Sequence, residues 1–163
     1  MKRTLLSIYS LRWIGLLAVL TGCGGKWDPT DPADISREFT VAFALSPPGG
    51  VKFIECSVVN VGDTSSRWFC FDVSRPAFEG LIANGFESIE SAKLFGAELK
   101  PPLDLMNIRE RNVNTPKWWP NLKDVQFERL YYRSQRTDAS NGYLFLVLDR
   151  ITGRAYASSS TWR

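Results

Sequence analysis

The reactive inventory of this chain is short. It holds three cysteines, Cys23, Cys56 and Cys70, together with 17 acidic side chains and no histidine. Without imidazole, Ser-His-Asp and Cys-His catalysis and histidine-ligated zinc are excluded. The glycine pairs follow a cysteine (Gly24-Gly25) or prolines (Gly49-Gly50), not a strand entering a helix, so no phosphate-cradling loop is present. Acid–base chemistry falls to carboxylates. A glycosidase sets two of them about 5–10 Å apart across a cleft. Asp72, Glu79, Asp104, Glu110 and Asp124 offer many pairs, and nothing in the sequence selects one. Asp28, Asp31 and Asp34 recur at every third position, but calcium loops need closely spaced oxygens around a glycine turn. This run has prolines instead. The expectation is a non-enzymatic protein with no cofactor and no metal.

Two features suit recognition. The first is Trp118-Trp119-Pro120, where an exposed indole would make an anchor or sugar platform and a buried one would plug the core. The second is the run from Phe127 to Arg136. On a strand, Arg129, Tyr131 and Arg133 share one face, and guanidinium forks beside a phenol suit an anionic partner. The alternative is an ordinary solvated sheet face.

Cys23 ends a distinctive segment. Lys2, Arg3 and Arg12 precede an apolar run from Trp13 to Leu20, which leads into Leu20-Thr21-Gly22-Cys23. This segment resembles a bacterial lipoprotein signal peptide with its lipobox. The resemblance covers residues 1–23 and implies cleavage before Cys23, a diacylglycerol thioether on Cys23, and acylation of the new amino group. It also implies a lipid-anchored place in the bacterial cell envelope. Gly24, where the family uses aspartate for inner-membrane retention, implies an outer-membrane address facing the periplasm in a host with two membranes. A transmembrane anchor is the rival reading. A spanning helix needs about 20 apolar residues, and Arg12 interrupts the run here while Gly22, Gly24 and Gly25 close it.

Removal of residues 1–22 leaves 141 residues, the size of one domain. The net charge of +3 leaves with Lys2, Arg3 and Arg12, so the remainder is neutral and carries no argument for nucleic acid. Export pairs the remaining cysteines as a Cys56–Cys70 disulfide. A hairpin centred on Asp63 sets them directly opposite. A register shifted by one matches the more apolar faces better and sends them to opposite sides. The bridge is preferred, because both strands carry apolar residues on both faces.

Three regions follow: signal peptide 1–22, acylated cysteine and flexible tether 23–34, and a single domain 35–163. Residues 35–45 fit either a helix capped by Asp34 or Ser36, or a strand. Strands are expected over 51–61 and 66–73. Ser74, Pro76 and the Phe78, Leu81, Ile82 stripe mark a helix ending at Gly85. A short helix is expected from Ile89 to Phe95, then an irregular stretch over 100–121. Strands return at 125–133, at 143–148 as a central strand, and at 154–161 as an edge strand after a turn at Gly153. The sum is an α+β domain: an antiparallel sheet of about four or five strands with one or two short helices. The domain also resembles small uncharacterised bacterial lipoproteins carrying Trp-Trp-x-Pro, Gly-Tyr-Leu and Thr-Gly-Arg-x-Tyr. The counterparts are Trp118-Trp119-Pro120, Gly142-Tyr143-Leu144 and Thr152-Gly153-Arg154-Ala155-Tyr156, without the intervening residue in the first. That resemblance implies no activity.

The functional expectation is a membrane-anchored envelope lipoprotein with a small non-catalytic binding or structural domain. An envelope protein or peptidoglycan is the expected partner. The alternatives are a cell-wall-acting carboxylate hydrolase and an anchored inhibitor or immunity-type protein.

Overall fold

The computed structural model describes residues 24–90, 115–136 and 141–163. Cys23, Asp104, Glu110, the end of the helix expected at 89–95, and most of the irregular 100–121 stretch lie outside them. The described residues form a single antiparallel sheet of seven strands, not four or five. In chain order these are β1 (Lys26–Trp27), β2 (Val51–Val61), β3 (Thr64–Val73), β4 (Glu87–Glu90), β5 (Arg129–Arg136), β6 (Asn141–Leu148) and β7 (Arg154–Trp162). Their spatial order is β1-β2-β3-β7-β6-β5-β4. The two additional strands are the short edges, β1 and β4. Strands of two and four residues carry too little alternation to stand out in a sequence.

Two helices cover one face. Helix α1 (Pro32–Phe43) settles the ambiguity of residues 35–45, and its cap lies earlier than expected. Asp31 Oδ1 accepts from the Ala33 amide at 2.7 Å, with Pro32 just after it. Helix α2 (Arg75–Ile82) starts as its sequence predicts, with the Ser74 hydroxyl accepting from the Ala77 amide. Ile35, Phe39, Ala42 and Phe43 form the buried stripe of α1. Phe39 and Phe43 stack with centroids 4.0 Å apart and planes 6° from parallel. Phe69 and Phe71 of β3 meet Phe39 edge-on at 5.7 and 5.8 Å.

Strand β7 lies at the centre of the sheet, between β3 and β6, and not at an edge. Its small residues are the reason. Ala155 and Ala157, both fully buried, stand opposite Phe71 and Phe69 and leave room for the aromatic layer beneath α1.

The segment expected to be a loose tether is part of the domain. Lys26 and Trp27 pair with Val59 and Val58. Asp28 accepts from the fully buried Ser57 hydroxyl at 2.5 Å, and Pro29 is buried. The helix expected from Ile89 begins in strand β4, where Ile89 pairs with Leu130.

The β2–β3 hairpin takes the shifted register. Its loop is two residues, Gly62-Asp63, with φ +55° at Gly62 and no positive φ at Asp63. That pattern fits a II′ turn, which places glycine first. Cys56 consequently faces Phe69, and Cys70 faces Glu55. Adjacent residues on a strand point to opposite faces. The preferred Cys56–Cys70 disulfide is therefore not formed, and both thiols are free and buried. Burial raises the Cys56 thiol from 9.0 to about 12, with the Glu38 carboxylate adding to the shift and Arg67 opposing it. Burial likewise raises Cys70 to about 11, against the pull of Arg154.

Two predictions follow from this packing. Phe39→Ala should lower stability by about 3–5 kcal/mol, measured by urea denaturation. Both thiols should resist iodoacetamide in the folded protein at pH 8 and react after denaturation; a linked peptide pair by mass spectrometry would contradict this. Above pH 9 the unfolded chain loses thiol protons that the folded chain keeps. Stability should therefore fall as pH rises through the window between 9 and about 11–12, and this component should be lost in a Cys56→Ala, Cys70→Ala variant.

Candidate functional site

Arg129, Tyr131 and Arg133 share one face of β5, as alternation requires, but it is the face that the helices cover. The Tyr131 ring meets Phe78 of α2 edge-on with centroids 5.5 Å apart. Arg129 reaches across to β4, donating to the Ser88 hydroxyl at 3.0 Å and lying 3.8 Å from the Glu90 carboxylate. Arg133 donates to the carbonyl oxygen of Phe43 at 2.6 Å and of Asn84 at 2.8 Å. It thereby caps the end of α1 and the turn after α2, where carbonyls lack intrahelical partners and the helix dipole is negative. Its guanidinium also lies 5.0 Å from the Phe86 ring centroid. Burial lowers the pKa of Arg133. Gln135 donates to the Ala42 carbonyl one residue earlier. Together these strand residues clamp the C-terminal end of α1.

Trp119 is also structural. It is 4% exposed and clusters with Val59 and Trp68 on the sheet face opposite the helices. Its ring meets Tyr156 edge-on at 6.0 Å, and the half-buried Trp118 lies 6.1 Å from it. Leu122 and Phe127 cover the same face farther along, against Leu130, Phe145 and Val147. Trp119 therefore helps close the second face of the sheet, with Trp118 half-buried beside it.

A different feature has the shape of a binding site. A cleft of about 780 Å³ opens where the helix layer stops short of the sheet's end. One wall is the C-terminal end of α1, with Val41 and Ala44. The other walls are the β2–β3 turn from Asn60 to Ser65 and the end of β7, with Ser159, Thr161, Trp162 and Arg163. Most of its deeper polar groups are already satisfied. Arg67 Nε lies 2.8 Å from the Glu38 carboxylate, and Arg67 also donates to Ser65 Oγ at 3.0 Å. The Ser159 hydroxyl donates to Gln135 Oε1 at 3.4 Å, and the Thr161 hydroxyl to the Ser65 carbonyl at 3.4 Å. Among the described residues, the side chains of Asn60, Asp63 and Arg163 make no such bond, so the uncommitted groups stand at the mouth. A signal for this cleft existed in β7. Along one face the residues change from Ala155 and Ala157 to Ser159 and Thr161, which marks where helix cover ends and a wetter surface begins.

Among the described residues, Asp63 is the one carboxylate side chain lining the cleft. A smaller cleft of about 300 Å³ holds Glu79 and Glu128. Each is paired with an arginine: Glu79 with Arg75 at 3.0 Å and Glu128 with Arg150 at 2.6 Å. Asp72 pairs with Arg154 at 3.4 Å, and Asp124 is exposed. Among the described residues no cluster of three or more acidic or cysteine side chains could hold a metal ion. No helix among them is long and apolar enough to cross a membrane. Comparison with protein-family models, with curated proteins and with solved structures gives no match.

Side-chain truncation separates the structural residues from the mouth of the cleft. Arg67→Ala leaves the Glu38 carboxylate, whose side chain is 12% exposed, with only the longer contact to Arg37 at 3.9 Å. It should cost about 3–5 kcal/mol in a denaturant titration. Trp119→Ala should cost a similar amount, about 3–5 kcal/mol. Asn60→Ala should change stability by no more than about 0.5 kcal/mol.

Proposed function

We propose that this chain is a lipid-anchored lipoprotein of the bacterial cell envelope whose domain binds a partner without catalysing a reaction. The observation that carries the anchor is the ordered run of basic residues, apolar segment and Leu20-Thr21-Gly22-Cys23. An acyl chain contributes about 0.8 kcal/mol per buried CH₂, so two or three chains hold a protein on a bilayer without a spanning helix. The polar cleft beside α1 supports the binding reading, since its uncommitted groups include an amide, a carboxylate and a guanidinium at an open mouth. An envelope protein or peptidoglycan remains the candidate partner class. In a host with two membranes, the outer membrane is the proposed site, because Gly24 stands where a retention aspartate would.

Metabolic labelling tests the anchor. Cells fed a clickable palmitate analogue should label the wild-type chain, and Cys23→Ser should abolish the label and release the protein into the soluble fraction. Undiminished labelling of the serine variant would refute the assignment.

A further inference from the structure

We infer that the end of the sheet carrying the large cleft lies against the bilayer, with the cleft mouth opening into the phospholipid headgroup layer. The inference rests on acylation at Cys23 and adds an orientation and a partner surface to it.

Chain geometry gives the first argument. Gly25 accepts from the Asn60 amide at 3.0 Å, and Lys26 pairs with Val59. Continuing that antiparallel register backwards sets Gly24 beside Val61, at the tip of the β2–β3 hairpin. Gly24 therefore stands at that tip, and an acyl group on the preceding residue is tied to it by one Cα–Cα step of about 3.8 Å. Asn60, Gly62, Asp63 and Thr64 of the same tip form a wall of the cleft. A lipid on Cys23 cannot enter a bilayer without bringing the cleft mouth close to its surface.

Surface chemistry gives the second. Val41 and Val61 are 56% and 53% exposed, and the first lines the cleft while the second lies at the hairpin tip. Trp162 and Arg163 complete the rim. Indole is favoured at the headgroup level of a bilayer, and a guanidinium pairs readily with phosphate oxygens. Apolar side chains and the Arg163 cation therefore gather at the end from which the acyl group emerges, beside one carboxylate, Asp63.

The buried native thiols permit a site-specific test in the intact acylated protein. Val41→Cys, Val61→Cys and Ile151→Cys variants would each be labelled with an environment-sensitive fluorophore and reconstituted in phosphatidylcholine–phosphatidylglycerol vesicles. Ile151 is 71% exposed in the turn between β6 and β7, at the opposite end of the sheet. An eight-residue strand of about 27 Å separates the two ends. The probes at 41 and 61 should shift to the blue on reconstitution and be quenched at least twofold by brominated phospholipid, while the probe at 151 keeps its aqueous emission. Aqueous emission at all three sites in protein whose Cys23 carries acyl chains would overturn the orientation and leave the anchor standing. Quenching at 151 alone would overturn it too. Absence of acyl chains on Cys23 by mass spectrometry would overturn the lipoprotein reading and this inference with it.

Discussion

The seating of two phenylalanines on a strip of alanines sets most of this architecture. Phe39 and Phe43 lie one helical turn apart on α1, and both are fully buried. A stacked pair of rings needs depth. The sheet supplies it by pairing large with small: Phe69 opposite Ala157 and Phe71 opposite Ala155. The phenylalanines of β3 stand as edges around the stack, and the alanines of β7 form the floor. This fit seats α1 over β2 and β3, where Phe39 meets Phe53, Phe69 and Phe71. The end of α1 is then fixed, and Arg133 and Gln135 hold its last carbonyls. The cleft lies beyond α1, which crosses the strands on the row of Arg67 and Arg133, while β7 continues past that row to Trp162.

The two faces of the sheet are finished by different means. Regular helices cover one. An irregular segment rich in large side chains covers the other, with Pro116, Trp119, Leu122 and Phe127 buried. Side chains with one polar tip suit such a cover, because the apolar body packs while the tip finds a partner at the margin. The same division explains the cysteines. Cys56 belongs to the helix-covered core, whereas Cys70 points toward the opposite face. Each fills space in its own layer as a small hydrophobe.

Elements with local punctuation were legible in the sequence. Ser74 and Pro76 announced α2, and the apolar run 143–148 announced an interior strand. The positive φ of Gly85 and Gly153 also matched the expected turn positions. What escaped was set by packing between distant segments. The hairpin register depended on whether the turn held two residues or three, a difference of one residue that reversed the face of every side chain. The hydroxyl-rich β7 looked like an edge because its residues are small and polar, yet smallness is what a strand beneath an aromatic layer requires. The Arg129, Tyr131 and Arg133 alternation was read correctly as one face. Which face it was could not be known without the helices, since a guanidinium that caps carbonyls and one that awaits an anion look identical in sequence. The cleft drew its walls from α1, β2, β3, β5 and β7, a gathering without local signature.

Gly24 links the fold to the proposed membrane address. A side chain at this position would begin with a Cβ in collision with the Asn60 carbonyl oxygen and only 2.7 Å from the Val61 Cα. The backbone of β2 cannot yield there without releasing β1. In a lipoprotein the residue after the acylated cysteine is read by the sorting machinery, whereas here the same residue is also wedged against a hairpin. Under the proposed anchor, destination at this site would be coupled to folding: a side chain written at position 24 would have to displace β1 from β2.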